Sequence, residues 1–313
     1  MNARKIILTA AVVAMLLAGG AANADTFGTD GNQFTINFVP ISGATNPTSG
    51  YGIVANDYRM GAYEVTNDQW TKFKNSLGVP VTGDPTYAYD YDPYWTGTSV
   101  PTNCASWYEA AQFVNWLNTS TGHQAAYKFT GTQGQSNYTL TTWSTAEADN
   151  GTNLYRHKDA QYYLPTENEW VKAGYWNGTT LQTYATKAGE SLTQGNGTSG
   201  TGWNYDYNTM QQPWNVGSGS QELNGTYDMM GNVWEWMESP YSDPNYGTAS
   251  NRGLRGGSCY NYDDSLASSY RFNLNPGNEY DGVGFRVASE VPEPASMGLL
   301  TLGGLALLKR KRG

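Results

Sequence analysis

The residues of this chain whose chemistry reaches beyond ordinary acid–base work are few: Cys104, Cys259, His123, His157 and Ser258. Paired thiolates hold soft metals such as Cu(I), whereas imidazoles joined by a carboxylate hold non-haem iron. With two histidines in the whole chain a three-histidine site cannot be built, and two histidines with one carboxylate is the most the count allows. Both histidines flank a polar stretch, 127–161, and read as solvated loop residues. The two cysteines permit one disulfide, which would close a loop worth about 5 kcal/mol of denatured-state entropy; two free buried thiols are the other reading. Ser258 has no histidine nearby in sequence to activate it as a nucleophile. Glu167 and Glu169 suggest an acid pair, but Glu169 also stands where a helix cap needs it.

The elements that must position these residues announce themselves mainly through helix starts. Thr66 with Gln69, Ser106 with Glu109 and Thr166 with Glu169 each have the spacing of a capping box, followed by large apolar residues at helical spacing. Three short helices of roughly 8–13 residues are predicted there. Strands are expected over 34–39, 58–63, 162–164 and 284–288. The stretch 178–220, rich in Gly, Thr, Ser and Asn, has no steady period and must be organised by aromatic packing or by a bound ion.

Composition narrows the function classes. Of 313 residues, 14% are charged and 14% aromatic, with 37 Gly and 24 Tyr. An average soluble protein carries roughly 25% charged residues. The profile excludes a coiled coil, a helical bundle and a long disordered acidic chain. Six of the 18 basic residues sit at the two ends, leaving 12 basic against 26 acidic side chains from Asp25 to Glu290, a balance of −14. Such a body repels nucleic-acid phosphates and favours divalent cations. The many Tyr and Trp suit sugar stacking as well as core packing, with the core as their default place.

Both ends read as addresses. Arg4-Lys5, the apolar run 6–18 and Ala22-Asn23-Ala24 have the layout of a secretory signal, with cleavage expected after Ala24. The apolar run is too short for a membrane span, which needs about 20 residues. At the other end, Val291-Pro292-Glu293-Pro294 precedes the apolar run 295–308 and the basic cluster Lys309-Arg310-Lys311-Arg312. Basic residues hold such an end in the cytoplasm. This tail resembles the PEP-CTERM sorting signal of Gram-negative bacteria. The resemblance implies cutting by the membrane protease exosortase and sorting to the cell surface or into extracellular polysaccharide. One domain, 25–290, is expected between the signal peptide 1–24 and the sorting segment 291–313.

Within that domain a series of segments occurs in order: Tyr63-Glu64-Val65-Thr66-Asn67, Ser106-Trp107, Leu164-Pro165-Thr166-Glu167 with Glu169-Trp170, the ten-residue block Tyr227-Asp228-Met229-Met230-Gly231-Asn232-Val233-Trp234-Glu235-Trp236, Arg255-Gly256-Gly257-Ser258, and Gly284-Phe285-Arg286-Val287. The series resembles the formylglycine-generating enzyme (sulfatase-modifying factor) family. It implies an α+β, C-type-lectin-like fold, loop-rich with little regular secondary structure.

The resemblance also implies sites. Sulfatase-activating members oxidise a substrate cysteine to formylglycine with copper held by two cysteines that follow the Gly-Gly-Ser motif. Those positions are Asn261 and Leu266 here, and neither side chain offers a soft thiolate. Formylglycine generation is therefore not expected unless Cys104 and Cys259 form a relocated copper pair. Ser258 aligns with a family active-site serine and Trp234 with a pocket tryptophan, so both are candidate site residues. Trp234 and Trp236 flank Glu235 on a strand or turn, with one expected to face inward and the other a groove. The family's calcium segment maps onto side-chain oxygens of Asp228 and Glu235 and carbonyls of Gly231 and Val233, a structural Ca²⁺ site. The competing reading is that Asp228 caps a turn while Glu235 pairs with an arginine such as Arg255 or Arg271. The sequence thus points to an exported binding or extracellular-matrix module for polysaccharide or an envelope protein. The alternative is an oxidase or non-haem iron enzyme with a diverged site.

Overall fold

The computed structural model describes residues 23–206, 211–242 and 244–292. The apolar core of the N-terminal signal and the Glu293–Arg312 part of the sorting segment lie outside the described residues. In chain order the elements are β1 (Asn23–Phe27), β2 (Phe34–Ile41), β3 (Tyr58–Gly61), α1 (Asn67–Leu77) and α2 (Trp107–Ser120). There follow β4 (Lys128–Thr130), β5 (Thr139–Thr141), β6 (Ala148–Asp149), β7 (Asn153–His157), β8 (Tyr162–Tyr163) and α3 (Glu167–Tyr175). The last are β9 (Trp234–Pro240), β10 (Arg252–Arg255), β11 (Phe272–Leu274), β12 (Val283–Gly284) and β13 (Ala288–Glu290).

All three helices start where their capping boxes lie. At each, the Thr66, Ser106 or Thr166 hydroxyl accepts the backbone N–H of residue N3, and the N3 side chain accepts the cap's own N–H. Each cap is worth about 1 kcal/mol. Gly78, at φ +74°, stops α1 in the left-handed conformation that a glycine reaches without strain.

Two sheets carry the fold. One runs β1-β2-β3-β13-β8 and the other β11-β10-β9-β12. Alternation along β2 buries Phe34, Ile36 and Phe38 and exposes Thr35 and Asn37. The buried face meets α2 where Phe34 stacks on Phe113 and Trp116 at 6.1 and 5.8 Å, and beyond it Phe113 stands edge-on to Phe73 of α1 at 5.2 Å and to Phe285 at 5.5 Å. Edge-to-face pairs add about 0.5–1.5 kcal/mol each beyond the area they bury.

The expected strand 284–288 divides in two. Val283–Gly284 joins the second sheet beside β9, and Ala288–Glu290 joins the first beside β3. Between them Phe285, Arg286 and Val287 cross from sheet to sheet, all buried, with their carbonyls still bonded to Val65 and Gly61 at positions 285 and 287. The 178–206 and 211–220 stretches contain no helix or strand. Trp203 and Trp214 are buried there, and the Asn232 side-chain oxygen accepts from both Asn204 Nδ2 (3.1 Å) and the Trp214 N–H (2.7 Å). Aromatic packing and one buried amide thus organise the loop.

β1 begins at Asn23, so cleavage after Ala24 would remove the strand's first two residues. Asp25, the next residue, pairs both carboxylate oxygens with the Arg59 guanidinium at 2.6 and 3.1 Å.

Candidate functional site

The block 227–236 is a turn followed by a strand. Asp228, Gly231 and Asn232 all have positive φ (+61°, +86° and +62°). At Gly231 a Cβ would lie 2.1 Å from the Asn204 carbonyl oxygen, so close approach of the two backbones requires glycine. The turn delivers Glu235 into the interior at the start of β9.

There Glu235 meets Arg286. Arg286 Nη2 donates to Oε1 at 2.6 Å and Nε to Oε2 at 2.7 Å, while Trp170 Nε1 adds a bond to Oε2 at 2.8 Å. The ion pair expected between Glu235 and an arginine exists, and its partner is Arg286 rather than the examples Arg255 and Arg271. Those two arginines converge on Glu167 instead, at 2.9 Å and 2.6 Å. Glu167 is thereby a structural anion, and Glu169 caps α3 while pairing with Arg156 at 3.0 Å. The acid-pair reading of these two residues does not hold.

Three further carboxylates surround Arg286. Asp228 accepts the Gly217 N–H at 2.6 Å, and burial pushes its carboxyl up to about 6. Glu222 accepts from Thr226 Oγ1 and the Met230 N–H, and burial pushes it up to about 8. Glu64 accepts from Asn232 Nδ2, with burial and then Asp228 holding its carboxyl well above the usual range. The positions Asp228, Gly231, Val233 and Glu235 do not fit a calcium ion as arranged. Both oxygens of Glu235 are committed to a guanidinium, whose charge would repel a second cation. Among the described residues no three His, Cys, Asp or Glu side chains converge as a metal site.

Ser258 and Asn261 form a closed unit. Asn261 Oδ1 accepts both the Ser258 N–H (2.9 Å) and the Ser258 hydroxyl (2.7 Å). The Asn261 carbonyl in turn accepts the Asp206 N–H at 2.7 Å. Leu266 is fully buried, and its carbonyl accepts the Tyr175 hydroxyl at 2.8 Å. One of these positions therefore caps a turn and the other fills the core.

Trp234 and Trp236, two apart on β9, share one face of the strand, and both are buried. The expectation that one would face a groove is corrected accordingly. Trp236 Nε1 donates to the Ala105 carbonyl at 2.8 Å, and Trp234 packs against Tyr270 and Phe272 with centroids at 5.9 and 5.6 Å.

The cysteines are free thiols. Cys104 is half-buried at φ +53°, and Cys259 is fully buried with its thiol pushed up to about 12 by that burial. His123 is exposed after α2, while His157 ends β7 with its ring edge-on to Trp143 at 4.6 Å.

One surface escaped the sequence reading. Tyr87, Tyr91 and Tyr94 are 56–66% exposed and Tyr280 is 49% exposed, although most tyrosines serve the core. They come from two segments held together: the Tyr91 N–H donates to Glu279 Oε2 at 3.0 Å, and the Tyr87 ring lies over Gly277, where a Cβ would come within 2.7 Å of it. The Tyr280 carbonyl accepts the Cys104 N–H at 3.0 Å. Burial pushes Glu279 up to about 7. The signal was present in 86–95, where Tyr alternates with Asp and Ala around a Pro. The alternation is strand-like, but it stops at Pro93, and the structure makes a 3-10 turn over Thr86–Tyr89 that leaves Tyr87 and Tyr91 exposed.

The profile of the Sulfatase-modifying factor enzyme 1-like domain matches residues 11–291. The chain belongs to this family. Solved structures of similar fold agree. Treponema denticola variable protein 1 matches with a TM-score of 0.61 at 21% identity, over 87% of this chain and 100% of that one. CarF matches at 0.58 and 22% identity, over 82% and 99%. PvdO from Pseudomonas aeruginosa matches at 0.51 and 17% identity, over 86% and 92%. At these identities the likeness establishes the α+β, C-type-lectin-like fold of the sulfatase-modifying factor domain and nothing about its chemistry.

A second profile, the PEP-CTERM protein-sorting motif, matches residues 290–312. It implies export and exosortase-mediated sorting to the surface. No helix among the described residues is long and apolar enough to cross a membrane.

Proposed function

We propose that this sulfatase-modifying factor domain is a surface-sorted binding or extracellular-matrix module of a Gram-negative bacterium. The observation that carries the reading is the exposed tyrosine face of Tyr87, Tyr91, Tyr94 and Tyr280. Tyrosine offers a large flat apolar area with a polar tip and few rotors to immobilise, which suits the C–H faces of sugar rings. Supporting it, the two positions where sulfatase-activating members carry copper-binding cysteines are a turn cap and a core leucine here. An extracellular polysaccharide chain is the favoured occupant, with an envelope protein next.

The test is binding of the exported chain to extracellular polysaccharide fractions and to envelope-protein panels, before and after Tyr91→Ala with Tyr94→Ala. Both side chains are exposed, so the fold should tolerate their loss. Binding that falls at least tenfold supports the reading; no binding on any panel overturns it. The second reading, a diverged oxidase, needs thiolates at Cys104 and Cys259, and burial, with a smaller push from Asp281, holds both thiols protonated, which counts against it. Stoichiometric copper in the purified protein would decide for it.

A further inference from the structure

A cleft of about 660 Å³ opens beside the start of α3, formed by the 51–58 loop, the β6–β7 hairpin and the end of β9. This lies in the size class of small-molecule sites. Its residues are distinct from those of the tyrosine face, so its occupancy does not depend on the function proposed above. We propose that this cleft is a binding site for a neutral oligosaccharide end.

The argument begins with the aromatic walls. Tyr51 and Tyr241 line the cleft, and arginines hold both rings in place. The Arg271 guanidinium lies 4.3 Å from the Tyr241 centroid and 5.0 Å from that of Tyr51, with Arg255 at 4.6 Å from Tyr51. Arg271 is itself fixed by two bonds to Glu167 (2.8 and 2.6 Å) and one to the Tyr241 carbonyl (2.9 Å). Rings immobilised before binding lose little entropy when a sugar face settles on them.

Charge then selects the ligand. The lining holds five carboxylates against two guanidiniums. Both guanidiniums are matched, Arg271 to Glu167 and Arg156 to Glu169 and Glu238, so no unpaired cation attracts an anion. Phosphorylated, sulfated and uronic sugars are thereby disfavoured. Inorganic cations find no converging ligand set among the described residues. What remains for recognition is hydroxyl-bonding chemistry: the amides of Asn56, Asn150 and Asn168, the Thr152 hydroxyl and the carboxylate of Asp57 line the same space. Carboxylates accept from sugar hydroxyls and amides both accept and donate, while the tyrosine faces take the C–H side.

The experiment is calorimetric titration of the exported chain with neutral trisaccharides (gluco, manno, galacto and N-acetylglucosamine series), with sulfated and polyuronate fragments in parallel. Two variants probe the cleft from opposite directions: Tyr241→Ala removes a wall, and Asn56→Trp fills the mouth from an exposed position. Saturable binding of at least one neutral trisaccharide, weakened at least tenfold by both variants and unchanged by Tyr91→Ala, is expected. No binding across the neutral series, binding within twofold of the parent in both variants, or preference for the acidic fragments would each overturn the proposal. Binding lost only with Tyr91→Ala would overturn it too and assign the sugar to the tyrosine face.

Discussion

Glu235 and Arg286 form a two-point ion pair with neither side chain exposed by more than 1%, joining the start of β9 to the segment that crosses between the two sheets. Trp170 from α3 donates to the same carboxylate, so one anion ties a helix and both sheets together. Removing one member of a buried pair strands the other charge, at about 3–5 kcal/mol. Glu235→Gln should lower stability by that order, read as a shifted urea midpoint with unchanged slope. A loss under about 1 kcal/mol would show that the pair is not structural.

The same geometry makes a prediction about calcium. With Glu235 held by Arg286, chelation by EGTA should leave the melting temperature unchanged. A fall of several degrees would return calcium to Asp228 and Glu235, and would require Arg286 to have moved away from the carboxylate.

Four carboxylates crowd Arg286, and burial raises Glu222 to about 8 and Asp228 to about 6. Elsewhere Glu238 and Glu279 are raised to about 7, again mainly by burial. In the unfolded chain such groups ionise near 4. The folded state therefore binds more protons, and its extra stability, full below about pH 4, is lost as pH rises through 6 to 8. The protein should melt higher at pH 5 than at pH 8.5. Glu222→Gln mimics the protonated acid, donating to Thr226 and accepting from Met230, and should flatten that dependence. An unchanged pH profile in the variant would remove Glu222 from the account.

How much of this was legible follows distance along the chain. The three capping boxes depend on residues three apart, and each helix starts where its box lies. The strand at 284–288 was misread because its two ends pair with different sheets, 283–284 with β9 and 288–290 with β3, partners about 50 and 230 residues away. The partners of Glu167 lie 88 and 104 residues off, beyond any local pattern. Trp234 and Trp236 were misplaced for a different reason: the two-residue strand period puts them on one face, and that face is the core. The cleft escaped entirely, since segments far apart in the chain make it and the one motif among them, Thr166 to Glu169, reads as a helix start.

Asn261 holds Ser258 by two bonds to one oxygen. Asn261→Ala would leave a buried N–H and hydroxyl without that acceptor, at about 1–3 kcal/mol. Asn261→Asp retains an acceptor at the same place and should recover most of the loss. Thermal melts of the two variants decide the matter; equal melts would mean the cap contributes nothing.

Cys104 and Cys259 differ in access and acidity, and the thiolate is the reactive form. Cys259, fully buried and raised to about 12, is almost wholly protonated at pH 8. Cys104 is also raised by burial but is half-exposed. Iodoacetamide at pH 8 should therefore alkylate Cys104 in the native protein and reach Cys259 only after denaturation, as read by peptide mass spectrometry. If neither reacts until a reductant is added, the two are joined in the exported protein and the free-thiol arrangement is wrong. If Cys259 reacts first, its surroundings open in solution, and the packing that commits Ser258 and Asn261 to structural work would have to be redrawn.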